Sequence, residues 1–170
     1  MLVIGDAASY PVVAGGGSGV VHMKESVPPI WALADELDID RENFPLDSVL
    51  SFACNKDKSN CIAYLGVIHS TIAFGKIDEK PTMAELSLED QVNLRSIQQM
   101  PFDATLIFAG IYSREEVDRS TLNWRSEVLA SLDKFHKKGK VIGALTTPGP
   151  ALINDLKEAC DALILNVMPG

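Results

Sequence analysis

Short apolar runs alternate along the chain with stretches in which apolar residues recur every three or four positions. That alternation is the mark of βα units, which assemble into a mainly parallel sheet. Strands are predicted over residues 2–4, 49–53, 105–109, 141–145 and 162–167. Two further β-rich runs, 61–67 and 71–74, lie close enough to form a hairpin or an edge pair. Helices are predicted over 29–37, with proline in the first turn, over 84–99, and over 151–160. Ser87 and Asp90 give the second of these a start resembling a capping box. Between the strands at 105 and 141, Leu122, Val128, Leu129, Leu132 and Phe135 form an apolar stripe at helical spacing. Lys137-Lys138-Gly139 reads as its cationic last turn and glycine stop. The expected fold is a doubly wound α/β sandwich around a mainly parallel sheet of five or six strands.

With 170 residues, the chain fits one domain spanning 1–170. A domain of this size buries roughly 70% of the surface its unfolded chain exposes. Hydrophobic residues make up 46% and charged residues 22%, an ordinary globular composition. The net charge of −8 repels phosphate backbones and anionic headgroups, so neither nucleic acid nor a membrane surface is an expected partner. Neutral sugars are compatible with it. No stretch resembles a signal peptide or an 18-residue apolar span, which leaves the compartment unassigned. The chain begins inside an apolar strand and stops where a strand passes into a loop, so it reads as a domain excised from a longer protein.

The three cysteines read as reduced thiols, although Cys54 and Cys61 flank a polar stretch and would close a small loop in an oxidising compartment. His22, His69 and His136 have no ligand-like spacing to a cysteine, so no metal site is expected. Two stretches carry candidate chemistry. The first is Ser113-Arg114-Glu115-Glu116-Val117-Asp118-Arg119, just beyond the strand at 105–109. Acids at the carboxyl end of a buried parallel strand sit where open α/β sheets place their ligands. The plainer reading of Glu115 is a solvated loop carboxylate or the first-turn acid of a helix. The second stretch is Gly15-Gly16-Gly17-Ser18-Gly19. A dinucleotide loop follows its strand at once and closes on a third glycine. Here about ten residues intervene and Val20 takes that position. No Gly-Lys-Ser/Thr follows, so no nucleotide cofactor is expected. A loop at an active-site rim or domain interface, or a plain surface loop, remains. Trp31 and Trp124 are of a kind that stacks on sugars, but both sit in helical patterns that favour core or interface roles.

Four motifs, in order, resemble the C-terminal domain of glycoside hydrolase family 3, the β-glucosidase-like family. Val3-Ile4-Gly5-Asp6-Ala7-Ala8, then Gly15-Gly16-Gly17-Ser18, then Val27-Pro28-Pro29 before a helix are similar to that domain's opening. Residues 103–110 and the acidic loop resemble the strand ahead of the family's Ser-Gly-Glu-Gly-Tyr-Asp-Arg loop. Val141 through Pro150 resembles its strand followed by Gly-Pro, and Asn166-Val167-Met168-Pro169-Gly170 its Trp-Tyr-Pro-Gly stretch. Residues 47–84 fit poorly. Position by position, Ser113, Glu115, Asp118 and Arg119 match the loop, with Glu115 on the acid/base glutamate. Arg114 and Glu116 replace its glycines, and Val117 its tyrosine.

The resemblance implies part of a retaining O-glycoside hydrolase acting on a β-glucoside or oligosaccharide without a cofactor. Glu115 would be the acid/base, while Gly15, Gly16, Gly17, Ser18, Ser113, Asp118 and Arg119 would line the substrate or the domain interface. It also implies a partner, an N-terminal (β/α)8 barrel domain carrying the nucleophilic aspartate, so the isolated chain is expected to be inactive. Two alternatives stand beside it. One is a non-catalytic domain that binds carbohydrate or shapes a barrel's site, favoured by the side chains at 114 and 116. The other is a flavodoxin- or receiver-like module, for which Asp6 at the end of the first strand is the only hint.

Overall fold

The computed structural model describes residues 1–10, 26–66, 88–110, 137–147 and 151–167. Six strands occur among them: β1 (Leu2–Ile4), β2 (Leu50–Cys54), β3 (Cys61–Leu65), β4 (Phe102–Gly110), β5 (Lys137–Thr147) and β6 (Ala162–Val167). Three α-helices accompany them: α1 (Pro29–Glu36), α2 (Leu88–Gln99) and α3 (Asn154–Ala159). The strands form one sheet in the order β2-β3-β1-β4-β5-β6. All neighbours are parallel except the β2–β3 hairpin at one edge. The α/β expectation with a mainly parallel sheet therefore holds.

Side-chain alternation explains why both faces are apolar. Leu2, Ile4, Ala63, Ile107, Ala109, Val141 and Leu145 form one buried cluster, which Leu94 and Ile97 of α2 and Leu156 of α3 complete. Val3, Ala53, Ile62 and Tyr64 project from the strands into a second cluster, with Ile30 and Ala34 of α1, Ile39 and Phe44. Ile30 and Ala34 lie one turn apart and supply the helix's buried contacts. Its end is held by a Schellman arrangement: Ile39 N–H donates to Ala34 O at 2.9 Å and Asp38 N–H to Asp35 O at 3.3 Å. Asp38 takes the left-handed position with φ 55°, where glycine is the usual choice.

The run at 61–67 supplies β3, which pairs with β2 on one side and β1 on the other, while the run at 71–74 lies outside the described residues. Two expectations change. Lys137-Lys138-Gly139 is no helix end; it starts β5, with a bulge opposite Phe102 and Ala104. Gly139 fits there because a Cβ would come 1.6 Å from the Asp103 carbonyl oxygen. The helical stripe at 122–135 lies outside the described residues. Finally, Cys54 and Cys61 are not reduced thiols: they are directly opposed in the β2–β3 register and joined as a disulfide. Cys160, half-buried, takes no part in it.

Candidate functional site

The chain runs from β1 outward to β2 and β3, then returns past β1 to β4, β5 and β6. The strands that follow β1 in the chain thus lie on one side of it up to β3 and on the other from β4 onward. In open α/β sheets, the crevice beyond the carboxyl ends of two neighbours at such a division is the usual place for a ligand. Register fixes the rim's shape. Leu2, Val3 and Ile4 oppose Thr105, Leu106 and Ile107, so β4 runs on through Phe108, Ala109 and Gly110 beyond the end of β1. Gly110 in turn opposes Thr146 of β5, and Thr147 opposes Val167 of β6. Because β1, β4, β5 and β6 are parallel, the carboxyl ends of all four lie at one end of the sheet.

The projecting end of β4 is met by a short 3-10 turn, Asp6–Ala8, which directly follows β1. Gly5 makes the junction. Its φ is 111°, its N–H donates to Leu65 O at 3.0 Å, and its carbonyl accepts from Ala8 N–H at 3.1 Å. A Cβ at this position would lie 2.0 Å from the Phe108 carbonyl oxygen, so only glycine allows the turn to sit against β4. Ala7 and Ala8 are buried beneath it. The turn is then tied sideways: Ser9 Oγ donates to Tyr64 Oη at 2.7 Å, with both residues buried. Tyr10 follows and is exposed. Sequence pattern alone did not reveal the Ser9–Tyr64 bond, which joins residues 55 positions apart. The Val3-Ile4-Gly5 run was the signal for the glycine.

The residues proposed for chemistry, Glu115, Ser113, Asp118 and Arg119, lie outside the described residues, as do Gly15, Gly16, Gly17 and Ser18. What is described is where their segments begin. The stretch with the glycines starts after Tyr10 at the end of the β1 turn, and the stretch with Glu115 starts after Gly110 at the end of β4. The Pro148-Gly149-Pro150 and Met168-Pro169-Gly170 stretches start after β5 and β6.

Trp31 does not serve as an open platform for sugar. Its Nε1 donates to Phe44 O at 2.9 Å, and the Arg41 guanidinium lies 5.6 Å from the ring centroid. It packs against the α1-side core, in keeping with the core reading. Trp124 and the three histidines lie outside the described residues. Among the described residues no group of three His, Cys, Asp or Glu side chains is arranged to hold a metal. Nor is any described helix long and apolar enough to cross a membrane. Compared with protein-family models, curated proteins and solved structures, the chain matches none.

Proposed function

We propose that this chain is a doubly wound sandwich domain of a β-glucosidase-like glycoside hydrolase resembling family 3, with Glu115 as its acid/base. The observation that supports this most is the parallel pairing of the neighbours β1 and β4. The glycine-bearing and acid-bearing segments follow adjacent strand ends, so one crevice is within reach of both. The second support is that each of the four motifs includes residues of one of the mutually parallel strands β1, β4, β5 and β6.

The chemistry asks for two carboxylates. A retaining glycosidase sets them about 5 Å apart, one attacking the anomeric carbon and the other protonating the departing oxygen before activating water. In this reading Glu115 is the second, and the first belongs to a (β/α)8 barrel domain. The 170-residue chain alone therefore does not turn over β-glucosides.

The test is Glu115→Gln in a protein that also carries the barrel. Loss of a proton donor penalises poor leaving groups most. Hydrolysis of alkyl β-glucosides should fall by about 100-fold or more, and that of an aryl glucoside with an acidic phenol far less. Equal losses on both, or no loss, would remove Glu115 from the role. A second reading, a domain that binds glycan without donating a proton, draws on Arg114 and Glu116 at the family's glycine positions. It predicts that gluco-oligosaccharide binding, followed by calorimetry, is indifferent to Glu115→Gln.

A further inference from the structure

Cys54 and Cys61 lie at the opposite end of the β2–β3 hairpin from the strand ends described above. They bridge β2, the last strand of the sheet among the described residues, to its neighbour β3. Their register puts them on the face that carries Phe52, which is 46% exposed, and Ala63, which is buried in the core cluster. The two cysteines are half-buried, and every residue of the turn from Lys56 to Asn60 is exposed. Both sulfurs thus border a solvated tip rather than the core.

The tip has its own fastening besides the disulfide. Asn55 N–H donates to Asn60 O at 3.0 Å and Lys58 N–H to Asn55 O at 3.1 Å. Asn60 N–H reaches Asn55 Oδ1 at 3.2 Å, and Ser59 N–H reaches Asp57 Oδ1 at 2.9 Å. One step inward, Ala53 and Ile62 are buried in the α1-side core. Neither needs the sulfurs to stay there.

We infer that the Cys54–Cys61 bond is a redox-addressable clasp, which a dithiol opens in the folded protein to loosen the hairpin tip while the sheet persists. The step is thiol–disulfide exchange. A thiolate of the dithiol attacks one cysteine sulfur, and the other cysteine leaves as a thiolate and takes up a proton. The dithiol's second thiol then displaces the first cysteine and closes the reagent's own disulfide. The protein gains two electrons and two protons, and the dithiol loses the same. The clasped form suits an oxidising compartment, and the opened form a reducing one. This inference is independent of the glycosidase reading.

The experiment uses the whole chain, purified without reductant. Alkylation in denaturant should label one cysteine, Cys160, before reduction and all three afterwards. Dithiothreitol without denaturant should then open the bond. Amide exchange at residues 54–61 should quicken about tenfold or more, while amides of β1 and β4 stay protected, as expected for local opening. The double variant Cys54→Ser/Cys61→Ser should show the same local pattern without reductant. Three labelled cysteines at the outset would overturn the inference. So would a bond that resists dithiothreitol until the protein is denatured, or loss of protection in β1 and β4 on reduction.

Discussion

Replacing Gly5 by alanine probes the contact on which the β1–β4 rim is built. Two penalties add. An L-residue held at a φ of 111° adopts a sparsely populated backbone, at about 1–3 kcal/mol. The new methyl would also lie 2.0 Å from the Phe108 carbonyl oxygen, well inside contact distance. That oxygen belongs to the backbone of a strand that pairs at Phe108 with Ala144 of β5, so it cannot swing away as a side-chain end would. Forcing an extra carbon into such a place typically costs about 1–3 kcal/mol. The sum is about 2–6 kcal/mol, a large share of the stability of a domain of this size. With about 2–4 °C lost per kcal/mol for a chain of this length, the midpoint of thermal unfolding followed by circular dichroism should fall by about 10 °C. Gly143→Ala is the control. A Cβ there meets the ends of the Leu163 and Cys160 side chains at 2.8 and 3.0 Å, with ordinary φ, and should cost only about 1 kcal/mol. If Gly5→Ala unfolded within about 0.5 kcal/mol of the parent, or Gly143→Ala proved the more damaging, the close approach of the turn to β4 would be refuted.

Two further stability tests reach other parts of the sheet. Tyr64→Phe leaves the buried Ser9 hydroxyl without its acceptor and should cost about 1–3 kcal/mol in urea unfolding. The double variant with Ser9→Ala should then cost less than the sum of the two single changes, and strict additivity would show that the bond contributes nothing. At the start of β6, Asp161 accepts from Lys140 Nζ at 2.8 Å and from Val141 N–H at 2.9 Å. These bonds, that from Lys140 foremost, hold its carboxyl below the ordinary range. A lowered carboxyl adds stability that is present above its unfolded-state value and is lost as pH falls through the folded one. The gap between wild type and Asp161→Asn in thermal midpoint should thus be small but widest near neutrality. It should close in acid below about pH 4 and shrink in concentrated salt; a gap that grew in acid would contradict the assignment.

Apolar runs made most of the sheet legible in the sequence: β1, buried throughout, reads as a continuous hydrophobic segment, and β6 reads the same way although most of it is exposed. β1 and β6 appear at their expected residues, and β4 and β5 around theirs. Where pattern failed, tertiary pairing prevailed over local signals. Lys137-Lys138-Gly139 looks like a helix end, yet a bulge against β4 draws it into a strand. The partner of β3 was obscured because three β-rich runs lie close together in sequence, and spacing does not say which two pair. Nor did cysteine spacing decide the disulfide, since only the register that sets Cys54 opposite Cys61 brings the sulfurs together. Of the candidate site, the strand ends were legible. The Ser9–Tyr64 bond was not, because a contact across 55 residues leaves no local trace.

The most direct test of the functional account is azide rescue of Glu115→Ala in a protein that also carries the barrel. Without its acid/base, such an enzyme should stall after the glycosyl intermediate forms from an activated aryl β-glucoside. Azide, which needs no general base, should restore turnover and give the β-glucosyl azide with retained configuration. Undiminished turnover without azide, or a stalled variant that azide neither accelerates nor converts to that product, would contradict the account.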